Sequence, residues 1–229
     1  NKNYDRKKFC FRHNIPEENK IIILMPGSRQ VEIKRHWQVF EQTVKNLQAK
    51  HENLTFVLIE GENVNINSNL DQIKVKENQY EAIGVADAAI VCSGTATLET
   101  SMLRCPMVVC YKLSWATWFF AKAMSKVKYL SLTNLIAEDK IVEELLQGKM
   151  NAKRLSQSIT SLLSPKNKYE LLQKYDKLIM KLKNSETTKR EFVQKKKNPK
   201  HTNIWSWDET PEVRKALEVL HANKGQTEE

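Results

Sequence analysis

The sequence predicts a doubly wound α/β domain: a Rossmann-like parallel sheet, with a helical extension at the C-terminal end. Three observations carry that expectation. Short apolar runs of strand length recur along the chain, as at residues 21–25, 55–59, 88–92 and 107–111. Stretches with helical spacing separate them, which is the alternation of βαβ units. The apolar runs are nearly continuous rather than alternating with polar residues, as expected for strands covered on both faces.

Each element follows from its residues. Residues 21–25 form the first strand, stopped by Pro26-Gly27-Ser28. Ile33, Trp37, Phe40, Val44 and Leu47 then recur at steps of four and three, one face of a helix. Residues 55–59 read as a second strand, and Ile73 and Val75 alternate with lysines in a short third one. Residues 80–86 are helix-like and lead to a buried strand at 88–92. Ser93-Gly94-Thr95 turns the chain into a helix over 96–104. Pro106 opens the strand 107–111, where a missing N–H is tolerated. Helices are expected at 116–125, 141–147, 152–163 and 169–183. The domain reading places a sheet domain at 1–165, a basic helical extension at 166–200 and a tail at 201–229, where Thr210-Pro211 opens a further helix.

Composition narrows the function. The 229 residues carry 37 Lys and Arg against 27 Asp and Glu, a net charge of +10, which favours an anionic partner. No run approaches the roughly 20 apolar residues of a membrane span. Cys10, Cys92, Cys105 and Cys110 show no CxxC pairing, so reduced structural thiols are expected rather than disulfides or a metal site. The chain opens on Asn1 rather than Met, so the lack of a signal peptide carries no weight. There is no GxGxxG, P-loop, HExxH or GxSxG pattern. The five histidines are scattered, and His36 reads as a helix-surface or capping residue.

Two strand-to-helix loops suit anions. Pro26-Gly27-Ser28-Arg29 offers a permissive glycine, free helix N–H groups and a guanidinium fork. Arg29 stands at a helix start, against the preference of the helix dipole, which suggests that an anion is expected there. Ser93-Gly94-Thr95-Ala96-Thr97 offers hydroxyls and N–H groups for a diphosphate, with Glu99 one turn inside for ribose hydroxyls. Taken singly, either loop is an ordinary turn.

Taken in order, the segments carry more. LMPGSRQVEIKRHW, ADAAIVCSGTATLETSMLRCPMVVCYKLS and KVKYLSLTNLIAEDKIVEELLQ resemble three blocks of the lipid-A-disaccharide synthase family. The resemblance covers about residues 5–165, and PGSR with SGTATLE is its most specific pair. It implies the second, nucleotide-sugar-binding domain of a two-domain GT-B fold. The implied activity moves 2,3-diacylglucosamine from its UDP conjugate onto 2,3-diacylglucosamine 1-phosphate, making the β-1,6 lipid A disaccharide phosphate. No metal or other cofactor is implied, and the catalytic base is expected in the first domain. Carried over by motif, Ser28 and Arg29 lie near the donor diphosphate. Ser93, Gly94, Thr95 and Thr97 surround phosphate, Glu99 points to ribose, and Asn134, Glu144 and Gln147 sit at the cleft wall. The implied partners are the two lipid substrates, an N-terminal GT-B domain and an anionic membrane surface, with no nucleic acid. The implied location is cytoplasmic, peripheral to the inner membrane.

Thr133 and Glu143 stand where the family has proline, and Arg104 where it has a small residue. The lost prolines are expected to loosen loops along the cleft. Two other readings stay open: a UDP-N-acetylglucosamine epimerase-like protein of the same fold, and a non-catalytic basic nucleotide-binding domain. The aromatic segment from Trp115 to Lys128 reads either as an interfacial helix or as a core helix with a lysine edge. Lys195-Lys196-Lys197 reads as a solvated charge run or a contact to a phosphate-bearing surface.

Overall fold

The computed structural model describes residues 4–61, 64–68, 70, 72–76, 78–92, 95–112, 129–184, 191–192 and 205–206. Six strands form one sheet: β1 (Lys20–Met25), β2 (Leu54–Ile59), β3 (Ile73–Val75), β4 (Ala88–Cys92), β5 (Met107–Tyr111) and β6 (Glu143–Leu146). Their order is β3-β2-β1-β4-β5-β6, and every neighbouring pair is parallel. This is the doubly wound order, in which the winding reverses between β1 and β4.

Strand side chains alternate between two cores. On one face Ile22, Leu24, Phe56, Leu58, Ile90 and Val108 pack against α2 (Gln30–Gln48) and α6 (Ala152–Leu162). The periodic residues Ile33, Phe40, Val44 and Leu47 are all buried there, as the helical spacing predicts. On the other face Ile21, Ile23, Val57, Ala89, Val91 and Val109 meet α1 (Arg6–Arg12), α3 (Gln79–Val85) and α7 (Pro165–Asn184). Tyr175 of α7 is fully buried in this second core, so that helix covers the sheet itself. Two further helices, α4 (Thr95–Met102) and α5 (Leu132–Ala137), share a smaller cluster built on Leu98, Leu132, Ile136 and Leu178.

The strands β1 to β5 match the sequence reading to within a residue. Residues 141–147 do not: their centre, Glu143–Leu146, forms the edge strand β6, not an α-helix. Glu-Glu-Leu-Leu favours a helix locally, but β5 offers an open edge, and Val108 pairs with Glu143 through to Tyr111 with Leu146. The short helices α1 and α5 have too few residues to show a period, and their caps define them. The Asp5 side chain accepts from Lys8 N–H, and the Ser131 hydroxyl accepts from Asn134 N–H. The C-terminal helix begins at Pro165, upstream of the expected start, with proline in the first turn where it suits. Two short strands, β7 (Glu191–Phe192) and β8 (Trp205–Ser206), pair antiparallel within a region read as extension and tail. The helices expected over 116–125 and after Thr210, the Trp115–Lys128 segment and Lys195–Lys197 lie outside the described residues. All four cysteines are buried and free, as expected.

The two positions that lack the family's proline sit in regular structure, which corrects the expectation of looser loops there. Thr133 is fully buried inside α5. Glu143 opens β6 and accepts from the Ser158 hydroxyl at 2.6 Å. Arg104 adopts a left-handed conformation after α4, and its guanidinium pairs with Asp176 of α7.

Asp87, at the amino end of β4, ties the elements of the second face together. It accepts from Ile21 N–H at 3.0 Å and pairs with Arg6 of α1 at 3.0 Å and Lys168 of α7 at 3.2 Å. Burial pushes its carboxyl up, but the Ile21 N–H, Lys168 and Arg6 together outweigh burial and hold it below the usual carboxylate range. A depressed folded value means stability that is present above the unfolded pKa of about 3.9 and lost as pH falls through the folded one. Asp87→Asn should therefore cost about 1–3 kcal/mol at pH 7. In urea titrations at stepped pH, the gap between wild type and variant should narrow below about pH 4.

Candidate functional site

The carboxyl ends of β1 and β4 flank the point where the winding reverses, and ligands of open α/β sheets bind in that crevice. The loop after β1 is held open by glycine geometry. Gly27 has φ of +129°, and a Cβ there would lie 2.8 Å from Glu32 Oε2 and 3.0 Å from Glu32 Cβ. Only glycine fits, because the loop folds directly over the first turn of α2. Ser28 N–H then donates to Glu32 Oε2 at 3.3 Å, while Tyr111 Oη at the end of β5 donates to Glu32 Oε1 at 2.8 Å. Burial chiefly, and then the bond to Glu32, raise the Tyr111 phenol far above its usual range, so it stays a neutral donor. Gly61, after β2, lies 3.8 Å from Ser28 Cα at its ideal Cβ position, so the β2 loop also flanks the site.

Ser28 and Arg29 are exposed at this edge. Arg29 is the N-cap of α2, with extended backbone and no side-chain capping bond, and among the described residues it has no ion pair. Glu32 supplies the negative charge that the helix start prefers, which leaves the Arg29 guanidinium directed to no partner within the helix.

His36, one turn beyond Glu32, is completely buried. This corrects its reading as a surface or capping residue. Its Nδ1 lies 2.8 Å from Pro26 O, and its Nε2 accepts from Lys112 N–H at 3.1 Å. Burial is the largest influence on the imidazole and lowers its pKa, against the backbone bonds to Pro26 and Lys112, which raise it.

Beyond β4, Ser93 and Gly94 lie outside the described residues. Thr95 opens α4 and is exposed, whereas Thr97 is fully buried and Glu99 half-buried. Thr97 is therefore enclosed in the domain, and Thr95 lies at its surface. The helix tolerates so many hydroxyls because they bond back along it: Thr100 Oγ1 to Ala96 O at 2.6 Å and Ser101 Oγ to Leu98 O at 2.8 Å.

Asn134 and Glu144 meet, but they face each other rather than the crevice. Asn134 Oδ1 accepts from Ile141 and Val142 N–H, both at 2.9 Å; its Nδ2 donates to Val142 O at 2.9 Å and Glu144 Oε1 at 2.8 Å. Glu144 also accepts from Leu130 N–H, Ser131 N–H and the Ser131 hydroxyl. The amide is satisfied on both atoms and fully buried, so this pair clamps the start of α5 to β6. Gln147 follows β6 at the carboxyl end of the sheet, left-handed with φ of 50° and half-buried. The structure thus brings Ser28, Arg29 and Thr95 to one edge and turns Asn134 and Thr97 inward. Glu32, His36 and Tyr111 were missed. The spacing of Glu32 and His36, four residues apart behind a Pro-Gly-Ser turn, was the available signal.

The lipid-A-disaccharide synthetase family matches this chain over residues 1–197. The chain belongs to that family. Family relatives include the lipid-A-disaccharide synthase of Histophilus somni (strain 2336), 30% identical over 189 residues, which cover 76% of this chain and 49% of that protein. Lipid-A-disaccharide synthase 1 of Legionella pneumophila (strain Paris) is 37% identical over 161 residues, covering 67% of this chain and 42% of its own length. The chain thus spans just under half the length of these family relatives. Among solved structures, the calicheamicin glycosyltransferase CalG4 aligns with 93% of this chain and 44% of its own at a TM-score of 0.49 and 12% identity. Among the described residues, no helix is long and apolar enough to cross a membrane.

The glycine geometry is directly testable. Gly27→Ala should destabilise the domain by ~1–3 kcal/mol in chemical unfolding, because the loop must leave its left-handed turn or displace Glu32. Gly148→Ala, at a position with nothing within 4 Å of the added carbon, should be near neutral.

Proposed function

We propose that this chain is the donor-binding part of a lipid A disaccharide-forming glycosyltransferase, the second Rossmann-like domain of a GT-B enzyme. The substrate taken at the switch point is UDP-2,3-diacylglucosamine. The acceptor is 2,3-diacylglucosamine 1-phosphate, and the product is the β-1,6 disaccharide phosphate. The observation that carries this reading is the pairing of family membership with the Gly27–Arg29 loop and the start of α4 at the reversal between β1 and β4. Family membership favours transfer over the epimerase-like alternative.

In this reading Ser28 and Arg29 bind the donor diphosphate from the β1 side. Ser93, Gly94 and Thr95 bind it from the β4 side, with Thr97 acting through its backbone and Glu99 meeting the ribose. Asn134 and Glu144 act as positioning residues for the cleft wall, and Gln147 closes it. Negative charge grows on the β-phosphate as the glycosidic bond breaks. Arg29 and the N-terminus of α2 then gain more from the transition state than from the ground state. The group that deprotonates the acceptor belongs to the preceding domain. The same reading puts the enzyme on the cytoplasmic side of the inner membrane, held at an anionic surface.

The 229-residue chain should bind UDP in calorimetry and yield no disaccharide from the two lipid substrates. Disaccharide synthesis by this chain alone, or no UDP binding, defeats the assignment. Arg29→Ala should weaken UDP binding by roughly 10- to 100-fold, the worth of a charged hydrogen bond, with the melting temperature unchanged. Arg29→Lys should recover part of it, keeping charge but losing the planar fork. In an enzyme that also contains the acceptor domain, Arg29→Ala should cost ~2–4 kcal/mol in kcat/KM.

A further inference from the structure

The loop that presents Ser28 and Arg29 is not held by its own hydrogen bonds alone. We infer that His36 is a positioning residue for donor binding: as the neutral Nδ1–H tautomer it fastens the Pro26–Arg29 loop to the backbone that leaves β5. This rests on the donor-binding reading above and adds to it a residue that touches no substrate.

The tautomer follows from the partners. Lys112 N–H is a donor only, so Nε2, 3.1 Å away, must offer its lone pair. Pro26 O is an acceptor only, so Nδ1, 2.8 Å away, must carry the proton. Cys92 Sγ stands 3.1 Å from the same Nδ1, at the last residue of β4 before the second anion loop. One ring thus touches the carboxyl ends of β1, β4 and β5, the three central strands around the reversal. No other imidazole tautomer satisfies both backbone groups.

The surroundings sustain that state. Glu32 and Arg35 lie on the same helix, Glu32 favouring the charged ring and Arg35 opposing it. Cys92 comes from β4, with Cys110 of β5 3.9 Å beyond it. Tyr111 of β5 sets its ring edge-on at 5.0 Å from the imidazole, its hydroxyl already committed to Glu32. With the ring fully buried, desolvation dominates and the neutral form wins. Adding a proton to Nε2 would remove the lone pair that Lys112 N–H uses, leaving the Lys112 carbonyl, 3.3 Å away, as the new partner in reach.

The consequence for function is geometric. Pro26 precedes Gly27 and Ser28 directly, so its carbonyl direction sets where Ser28 N–H and the Arg29 guanidinium stand. Glu32 fastens the far side of the same loop through Ser28 N–H. Two side chains on one helix face, four residues apart, therefore grip the loop at both ends.

Substitutions separate this role from simple packing. Asparagine places its amide where Nδ1 stands and can keep the bond to Pro26 O; glutamine reaches the Nε2 position and can keep Lys112; phenylalanine fills the volume with neither. UDP titration of the 229-residue chain, paired with melting curves, should show His36→Asn and His36→Gln, each keeping one of the two backbone bonds, binding roughly tenfold more weakly than wild type, the fold-change of one lost hydrogen bond. His36→Phe, which keeps neither, should bind more weakly still. Two-bond nitrogen–proton spectra of the wild type should show protonated Nδ1 and bare Nε2, persisting below the ordinary histidine pKa of about 6.5. Affinity that tracks melting temperature across all three variants, or a His36 that titrates near 6.5, overturns the assignment. Undiminished UDP binding by a folded His36→Phe overturns it alone and leaves the donor reading standing. Absence of UDP binding by the wild type removes the donor reading and this role with it.

Discussion

A parallel sheet covered on both faces leaves polar chemistry only one place to go: the strand ends. Strands β1, β4 and β5 are apolar on both sides, and their inward residues are almost wholly excluded from water. Every loop at their carboxyl ends therefore converges on the same edge. Because the order runs β3-β2-β1-β4-β5-β6, the connections from β1 and β4 leave in opposite directions and open a crevice between them. The Gly27 turn, the start of α2 and the start of α4 stand there because of strand order, although 68 residues of sequence separate Gly27 from Thr95.

Polar residues inside such a domain must satisfy one another, and three groups do so with different consequences. Asp87 works at the amino end, where Arg6 and Lys168 join the first and last described helices to the sheet. Its partners are partly exposed, so its contribution is moderate and depends on pH. Asn134 and Glu144 form a set of bonds between α5 and β6 in which the Asn134 amide has no free valence for a ligand. Glu32, His36 and Tyr111 form the third group, and of the three it is the one that lies directly beneath the exposed Ser28-Arg29 loop. Stability and site geometry are therefore served by different polar clusters. Mutations at the two ends of the sheet should separate the two properties.

Part of this was legible in the residues. Apolar runs bounded by Pro-Gly-Ser and Ser-Gly-Thr marked β1 and β4, and the period of Ile33, Phe40, Val44 and Leu47 marked α2 with its buried face. Gly27 was legible as a turn, but its reason was not, because the obstruction is the Glu32 side chain brought back by one helical turn. Asn134 and Glu144 were visible as polar residues in a family motif, and their burial was invisible. Whether an amide faces a cleft or a carboxylate ten residues away depends on how α5 docks beside β6.

Local sequence determined which segments extend and which coil wherever period and punctuation agreed, since side-chain spacing alone decides which face can be dry. It also determined that two glycine-containing loops would precede helices with unsatisfied N–H groups. Tertiary structure decided the rest. Residues 143–146 became a strand because β5 had an edge to fill, and pairing across that edge outweighs a weak helical preference. His36 became a buried ring because the packing sets it against Cys92 at the end of β4 and Tyr111 of β5, out of water and with two backbone partners. Burial and partner choice are properties of the packed arrangement, and no window of neighbouring residues contains them.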